Sequence, residues 1–147
     1  MVYGGEVNLH LIVDMRGADY SKLADQVKIE CLLLNLIDDI EMKQILPMQS
    51  IKYTGSKSHD WGITATVVVA ESNITFHTFP EHHLVNIDIF SCKGFDEDKA
   101  LKRLEAYFEP EVVKVVKLKR GLEFDPYEKI FDQEKLRVIG DVVYEAT

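Results

Sequence analysis

An α+β two-layer sandwich, an antiparallel sheet with helices on one face, is the fold this sequence predicts, on three observations. Apolar and polar residues alternate in several short runs, as they do in strands with one buried side. Two longer segments repeat their apolar residues at three- and four-residue spacings, the pattern of amphipathic helices. The connections between the central strand-like runs are too short for a helical crossover, so those strands should pair antiparallel.

The elements follow in order. Residues 7–15, "VNLHLIVDM", alternate as a first strand, and residues 16–19 make a turn. Ser21 is the expected cap of a helix over 22–42, where Leu23, Val27, Leu34, Ile37 and Ile40 set the apolar spacing. Cys31, inside that Leu-rich pattern, reads as a small core hydrophobe. A strand over 48–53 and the loop "TGSKSHDWG" come next. Strands are expected over 63–70, 74–78 and 84–92, the last two joined by Pro80-Glu81-His82-His83. A second helix over 96–108 shows Ala100, Leu101, Leu104, Ala106 and Tyr107 on its apolar side, and 112–118 form a further strand. From Gly121 the chain mixes a short charged helical stretch with "RVIGDVVY". In 84–92, Val85, Ile87 and Ile89 share one face, while Asn86, Asp88, Phe90 and Cys92 share the other.

Composition narrows the function. The 147 residues are enough for one domain, 1–147, with a sizeable core, and 46% hydrophobic with 29% charged residues is ordinary for a soluble protein. A net charge of −8 excludes the basic stripe that nucleic acid requires. The apolar runs are too short to span a bilayer, and the opening residues lack a basic region and a small-residue cleavage site. The expectation is a cytoplasmic protein with no membrane partner, in which Cys31 and Cys92 form no disulfide framework.

One stretch does not fit a purely structural account. In "VVVAESNITFHTFPEHHLVNIDIFSC", Glu71, Ser72, His77 and Cys92 interrupt or flank apolar strands. Singly, each has a bland reading: a strand-end acid, a turn serine, a half-buried histidine, and an exposed His82-His83 pair. Zinc ligation by His77, His82, His83 and Cys92 fits no common spacing, so no metal is expected. A Ser-His-acid hydrolase lacks a nucleophile elbow around Ser72.

Together, "ESNITFHTFPE" and "NIDIFSC" resemble the processing and active-site segment of the prokaryotic S-adenosylmethionine decarboxylases, ESHxxxHTWPE…DxFTCG. Glu-Ser, the His five residues after Ser, the Pro-Glu pair and the Cys twenty residues after Ser stand in register. "WGIT" is similar to the family's "QGVS", "LHLIVDMRG" to its opening strand and "VVKVVKLKRG" to its late strand, so the resemblance spans roughly 8–121. It implies self-cleavage between 71 and 72, with Ser72 attacking the Glu71 carbonyl, His77 removing the Ser72 α-proton and Thr64 assisting by hydrogen bonding. The product is a pyruvoyl cofactor made from Ser72. Amino-acid decarboxylation needs such an electron sink, since no ordinary side chain offers a ketone. Cys92 matches the family's proton donor, and Glu81 the carboxylate that holds the ribose hydroxyls.

The chain departs from the pattern around the nucleoside. Ser58 stands at the adenine-stacking Phe, so Trp61 and Phe79 become the candidate rings, Phe79 itself replacing the "HTW" tryptophan. Asn73 replaces the usual His, and "CG" is "CKG". The resemblance therefore implies a pyruvoyl-dependent decarboxylase of the small molecule S-adenosylmethionine, in polyamine synthesis, acting as a homodimer. Two alternatives stand beside it: the same chemistry on arginine or ornithine, or an unprocessed homologue that binds or regulates a partner.

Overall fold

Strand alternation builds one sheet and decides which side of it is buried. The computed structural model describes residues 8–120 and 143–146. Its strands are β1 (Asn8–Arg16), β2 (Gln49–Thr54), β3 (Trp61–Val69), β4 (Ser72–Phe79), β5 (Leu84–Ser91), β6 (Val112–Arg120) and β7 (Val143–Ala146). They form an antiparallel sheet in the order β2-β3-β4-β5-β1-β6-β7. The helices are α1 (Tyr20–Leu23), α2 (Gln26–Asp39) and α3 (Glu97–Phe108), and a 3₁₀ turn covers Pro80–His82. This is the expected α+β sandwich. The helical stretch expected after Gly121 lies outside the described residues.

Leu11, Val13 and Met15 of β1, Ile74 and Phe76 of β4, and Val85, Ile87 and Ile89 of β5 are fully buried. They meet Ile29, Leu33 and Leu36 of α2 and Ala100, Leu104 and Phe108 of α3. Burying one such side chain contributes about 1.5–3 kcal/mol, so this two-layer contact is the main source of stability. The opposite sheet face has no helix over it among the described residues. Its contacts are polar: Asn86 Nδ2 donates to Asp14 Oδ1 at 2.6 Å, His10 Nε2 meets Asp88 Oδ1 at 2.9 Å, and Thr66 and Thr75 share a bond of 2.8 Å.

The first helical segment corrects the sequence reading. It is two helices, because Asp19 and Asp25 each act as an N-cap. Asp19 accepts from the Ser21 and Lys22 amides, and Asp25 from the Lys28 amide. Ser21 is not the cap; its hydroxyl donates to Asp19. The restart rotates the buried stripe to Ile29, Leu32, Leu33, Leu36 and Ile37. Val27 and Leu34 are therefore exposed, at 68% and 40%, and Cys31 is exposed rather than a core residue. The helix ends at Asp39, and Glu41 turns the chain with φ of 56°. In α3, Phe108 belongs to the buried set and Ala106 does not. No helix among the described residues is long and apolar enough to cross a membrane.

Phe76 meets Phe108 edge-on, with ring centroids 6.5 Å apart, and neither ring is accessible. Phe76→Ala, made in a Ser72→Ala background to keep one chain, should lose about 3–5 kcal/mol by chemical denaturation. A loss under 1 kcal/mol would show that β4 is not anchored through this ring.

Candidate functional site

Strands β3 and β4 are joined by the two residues Ala70-Glu71, with Val69 paired to Ser72 at the ladder's end. A two-residue connection is the tightest a hairpin allows. Here it is held from both sides. The Ala70 amide donates to the Lys43 carbonyl at 2.7 Å, and the Cys92 amide donates to the Glu71 carbonyl at 2.9 Å. Ser72 has φ of 156°, which side chains rarely adopt and which stores about 1–3 kcal/mol. The peptide bond between Glu71 and Ser72 thus precedes a residue of unfavourable backbone conformation, and its carbonyl oxygen already has a donor.

The Glu71 carboxylate is equally constrained. Lys93 Nζ lies 3.3 Å from Oε1, and the Lys43 amide donates to Oε2 at 3.3 Å. Burial pushes the carboxyl pKa up, but the amides of Lys43 and Glu71 and the Lys93 ammonium outweigh it, leaving the pKa below the ordinary value. Cys92 follows β5 directly, in a bend, and is half-buried.

A second cluster sits at the opposite end of β3 and β4. Thr64 Oγ1 and His77 Nδ1 are 2.9 Å apart, from directly paired positions on the open face. If Nδ1 donates to Thr64, Nε2 keeps its lone pair and can act as a base. Beyond this pair the ladder changes character. The Ile63 amide donates to Thr78 Oγ1 at 2.9 Å, and the Thr78 hydroxyl is buried to make that bond. The strand ends frame a pocket of about 230 Å³ lined by Tyr53, Trp61, Thr64, His77, Phe79 and His82. Gly62 is required there: a Cβ would lie 1.9 Å from the Thr78 carbonyl oxygen.

Glu81, on the 3₁₀ turn, does not line the pocket itself but bonds to Trp61, which does. Its Oε1 accepts from Trp61 Nε1 at 3.1 Å and from the Tyr20 hydroxyl at 3.2 Å, and Tyr20 meets Trp61 edge-on. The turn is stitched to the end of β1 by His83, whose Nδ1 donates to the Ala18 carbonyl at 2.9 Å. His83 is therefore a structural residue.

The residues singled out in the sequence fall into two groups in one chain. Glu71, Ser72 and Cys92 form one, and Thr64, His77, Phe79, Glu81 and Trp61 form the other. Ser72 and His77 lie five positions apart on a single strand, so about 16 Å of rigid backbone separates them. Tyr20, Tyr53 and Lys93 were not singled out as site residues. Tyr20 and Tyr53 carry no motif, and Lys93 was visible only as the extra residue in "CKG". Among the described residues, no three His, Cys, Asp or Glu side chains gather to hold a metal ion.

Comparison with known proteins gives a consistent result. The family model described as S-adenosylmethionine decarboxylase matches residues 9–121. The S-adenosylmethionine decarboxylase proenzyme of Archaeoglobus fulgidus is 30% identical over 116 residues, 78% of this chain and 98% of that one. The proenzyme of Pyrococcus furiosus is 30% identical over 118 residues, 80% of this chain and 81% of that one. The crystal structure of adenosylmethionine decarboxylase from Aquifex aeolicus superposes with a TM-score of 0.66 at 26% identity, covering 86% of this chain and 98% of that one.

Trp61 is the chain's single tryptophan, so its emission reports the pocket directly. Gly62→Ala should force β3 away from Thr78, expose Trp61 and shift its fluorescence to the red, with a lower Tm. An unchanged spectrum and Tm would show that the close approach at Gly62 is dispensable.

Proposed function

The chain belongs to the S-adenosylmethionine decarboxylase family, and on that premise we propose that it cuts itself after Glu71, makes a pyruvoyl group from Ser72, and decarboxylates S-adenosylmethionine in polyamine synthesis. The observation that carries this reading is the peptide bond between Glu71 and Ser72. It ends a two-residue turn, it is followed by the unusual backbone of Ser72, and its carbonyl oxygen accepts from the Cys92 amide.

The chemistry uses the chain's own atoms. Ser72 Oγ adds to the Glu71 carbonyl carbon. The oxygen's proton passes to nitrogen as the C–N bond breaks, and the amide becomes an ester. The Cys92 amide donates to the oxygen on which negative charge builds. Removal of the Ser72 α-proton then expels the main-chain carboxylate of Glu71, the new end of the first chain, and leaves an enamine, which water converts to a ketone with release of ammonia. That ketone supplies the electron sink for decarboxylation. The residues around it fit: Cys92, half-buried, can return a proton to the decarboxylated carbon.

His77 is the base of this scheme, and a homodimer is the working unit that would let it reach Ser72. Within one chain His77 is about 16 Å along β4 from Ser72. A second copy packed so that its Thr64–His77 pair reaches the first chain's β3–β4 turn brings that base to Ser72. The open face suits a partner: Ile51 and Tyr53 of β2 are 61% and 59% exposed, and Ile51 pairs directly with Thr64 of β3. Each site then combines Glu71, Ser72 and Cys92 of one protomer with Thr64, His77 and the aromatic pocket of the other. The pocket suits the nucleoside. Phe79, Trp61 and Tyr53 offer rings for adenine, and Glu81, bonded through Oε1, offers Oε2 to a ribose hydroxyl. We place the enzyme in the cytoplasm, where Cys31 and Cys92 remain free thiols.

Intact mass tests the scheme. Wild type should appear as two chains split after Glu71, and Ser72→Ala as one. His77→Ala alone should stay whole. Co-expressed with Ser72→Ala, about half of the His77→Ala chains should be cleaved, because random pairing gives half of them a partner with an intact His77. Cleavage of His77→Ala alone would remove His77 as the base. No cleavage on co-expression would remove the shared site.

For the substrate, base–aromatic stacking contributes about 1–3 kcal/mol. Trp61→Ala and Glu81→Gln should therefore each raise KM for S-adenosylmethionine, by roughly 5- to 150-fold for the ring, while self-cleavage proceeds. Unchanged KM in both would mean that this pocket does not hold the nucleoside.

A further inference from the structure

Lys93 is the residue inserted between Cys92 and Gly94, and the scheme above gives it no part. Its backbone is locked, because the Ser91 hydroxyl donates to the Lys93 carbonyl at 2.6 Å and accepts from the Lys93 amide at 3.2 Å. Ser91 is fully buried and lies in register with Ser72 on the neighbouring strand. The lock therefore ties the residues after β5 directly to the cleavage point. From it the Cys92 amide reaches the Glu71 carbonyl and the Lys93 ammonium reaches the Glu71 carboxylate.

We infer that Lys93 is a positioning residue for self-cleavage: by gripping the Glu71 side chain it keeps the Glu71 carbonyl on the Cys92 amide, where Ser72 must attack it. The inference rests on the self-cleavage proposed above and deepens it. With its carbonyl oxygen and carboxylate both held, Glu71 cannot turn its carbonyl away without breaking one of the two contacts. The carboxylate itself is well enclosed, at 13% exposure, with the Lys43 amide on its other oxygen. Lys93 is 44% exposed, so the ion pair adds little to stability. Its consequence lies in geometry, where a displacement of about 1 Å can cost roughly a hundredfold in rate.

The test follows cleavage of freshly translated chains by intact mass. Lys93→Met should slow cleavage by roughly ten- to a hundredfold, with Tm within about 2 °C of a matched Ser72→Ala control. Lys93→Arg, which keeps the charge, should restore most of the rate. Glu71→Gln keeps the backbone carbonyl and should slow cleavage comparably. The double variant Glu71→Gln/Lys93→Met should be no slower than either single one, since both remove the same contact. A wild type that cleaves while Lys93→Met keeps pace overturns this inference alone, as does fully additive slowing in the double variant. A wild type that never cleaves overturns the underlying function and this inference with it.

Discussion

The ladders that clamp β4 between β3 and β5 fix the distance between Ser72 and His77, and the arrangement of the site follows from that distance. A strand rises about 3.3 Å per residue and cannot fold back on itself while both edges are paired. The hydroxyl at the start of β4 and the imidazole near its end are therefore fixed at opposite ends of one rigid element. Each gains local support because its strand cannot move: Ser72 from the tight turn and the amide after β5, His77 from Thr64 across the ladder. Two half-sites that are each well ordered, yet cannot meet, are an efficient basis for a symmetric assembly.

The same sheet divides stability from chemistry. Its helix-covered face is filled by large aliphatic side chains and Phe76, and it carries the folding energy. Its other face bears hydroxyls, amides, carboxylates and imidazoles that pair with one another across strands. These pairs satisfy polar groups without adding much to the core. Strand parity keeps Thr64 and His77 on the open side, whereas Ser72, at the first position of β4, shares the parity of the buried Ile74 and Phe76.

Much of this was legible from residue order, and the failures have a common cause. Strand alternation fixed the faces of the β5 residues, Val85, Ile87 and Ile89 on one side and Asn86, Asp88 and Phe90 on the other, because a two-residue period leaves no choice once one side is aliphatic. Helix phase was less secure. Spacing through 22–42 looked continuous, but the Asp25 cap resets the rotation and turns Val27 and Cys31 outward. At the site, residues within one motif were readable, including Glu71, Ser72, His77 and Cys92. That Ser72 and His77 stand far apart could be had only by reading both on one strand. Tyr20 was not readable as a site residue, because it reaches Glu81 across 61 positions of sequence. The bond between Cys92 and the Glu71 carbonyl uses an amide, which every residue but proline has, and no side-chain pattern announces it.

The last strand bears on how copies of this sheet can meet. An open sheet offers its outermost strands as templates, since their outward amides and carbonyls are unpaired. Here β7 lies along β6, from Lys117 against Val143 to Lys114 against Ala146, beyond the stretch that matches the family model. Along that stretch the β6 backbone is occupied by its own chain. The opposite margin, β2, lies at the other end of the sheet and carries the exposed Ile51 and Tyr53. Over the stretch paired with β7 the sheet's margin passes from the nine-residue β6 to the four-residue β7, and a short outermost strand offers a smaller template for strand-to-strand annealing.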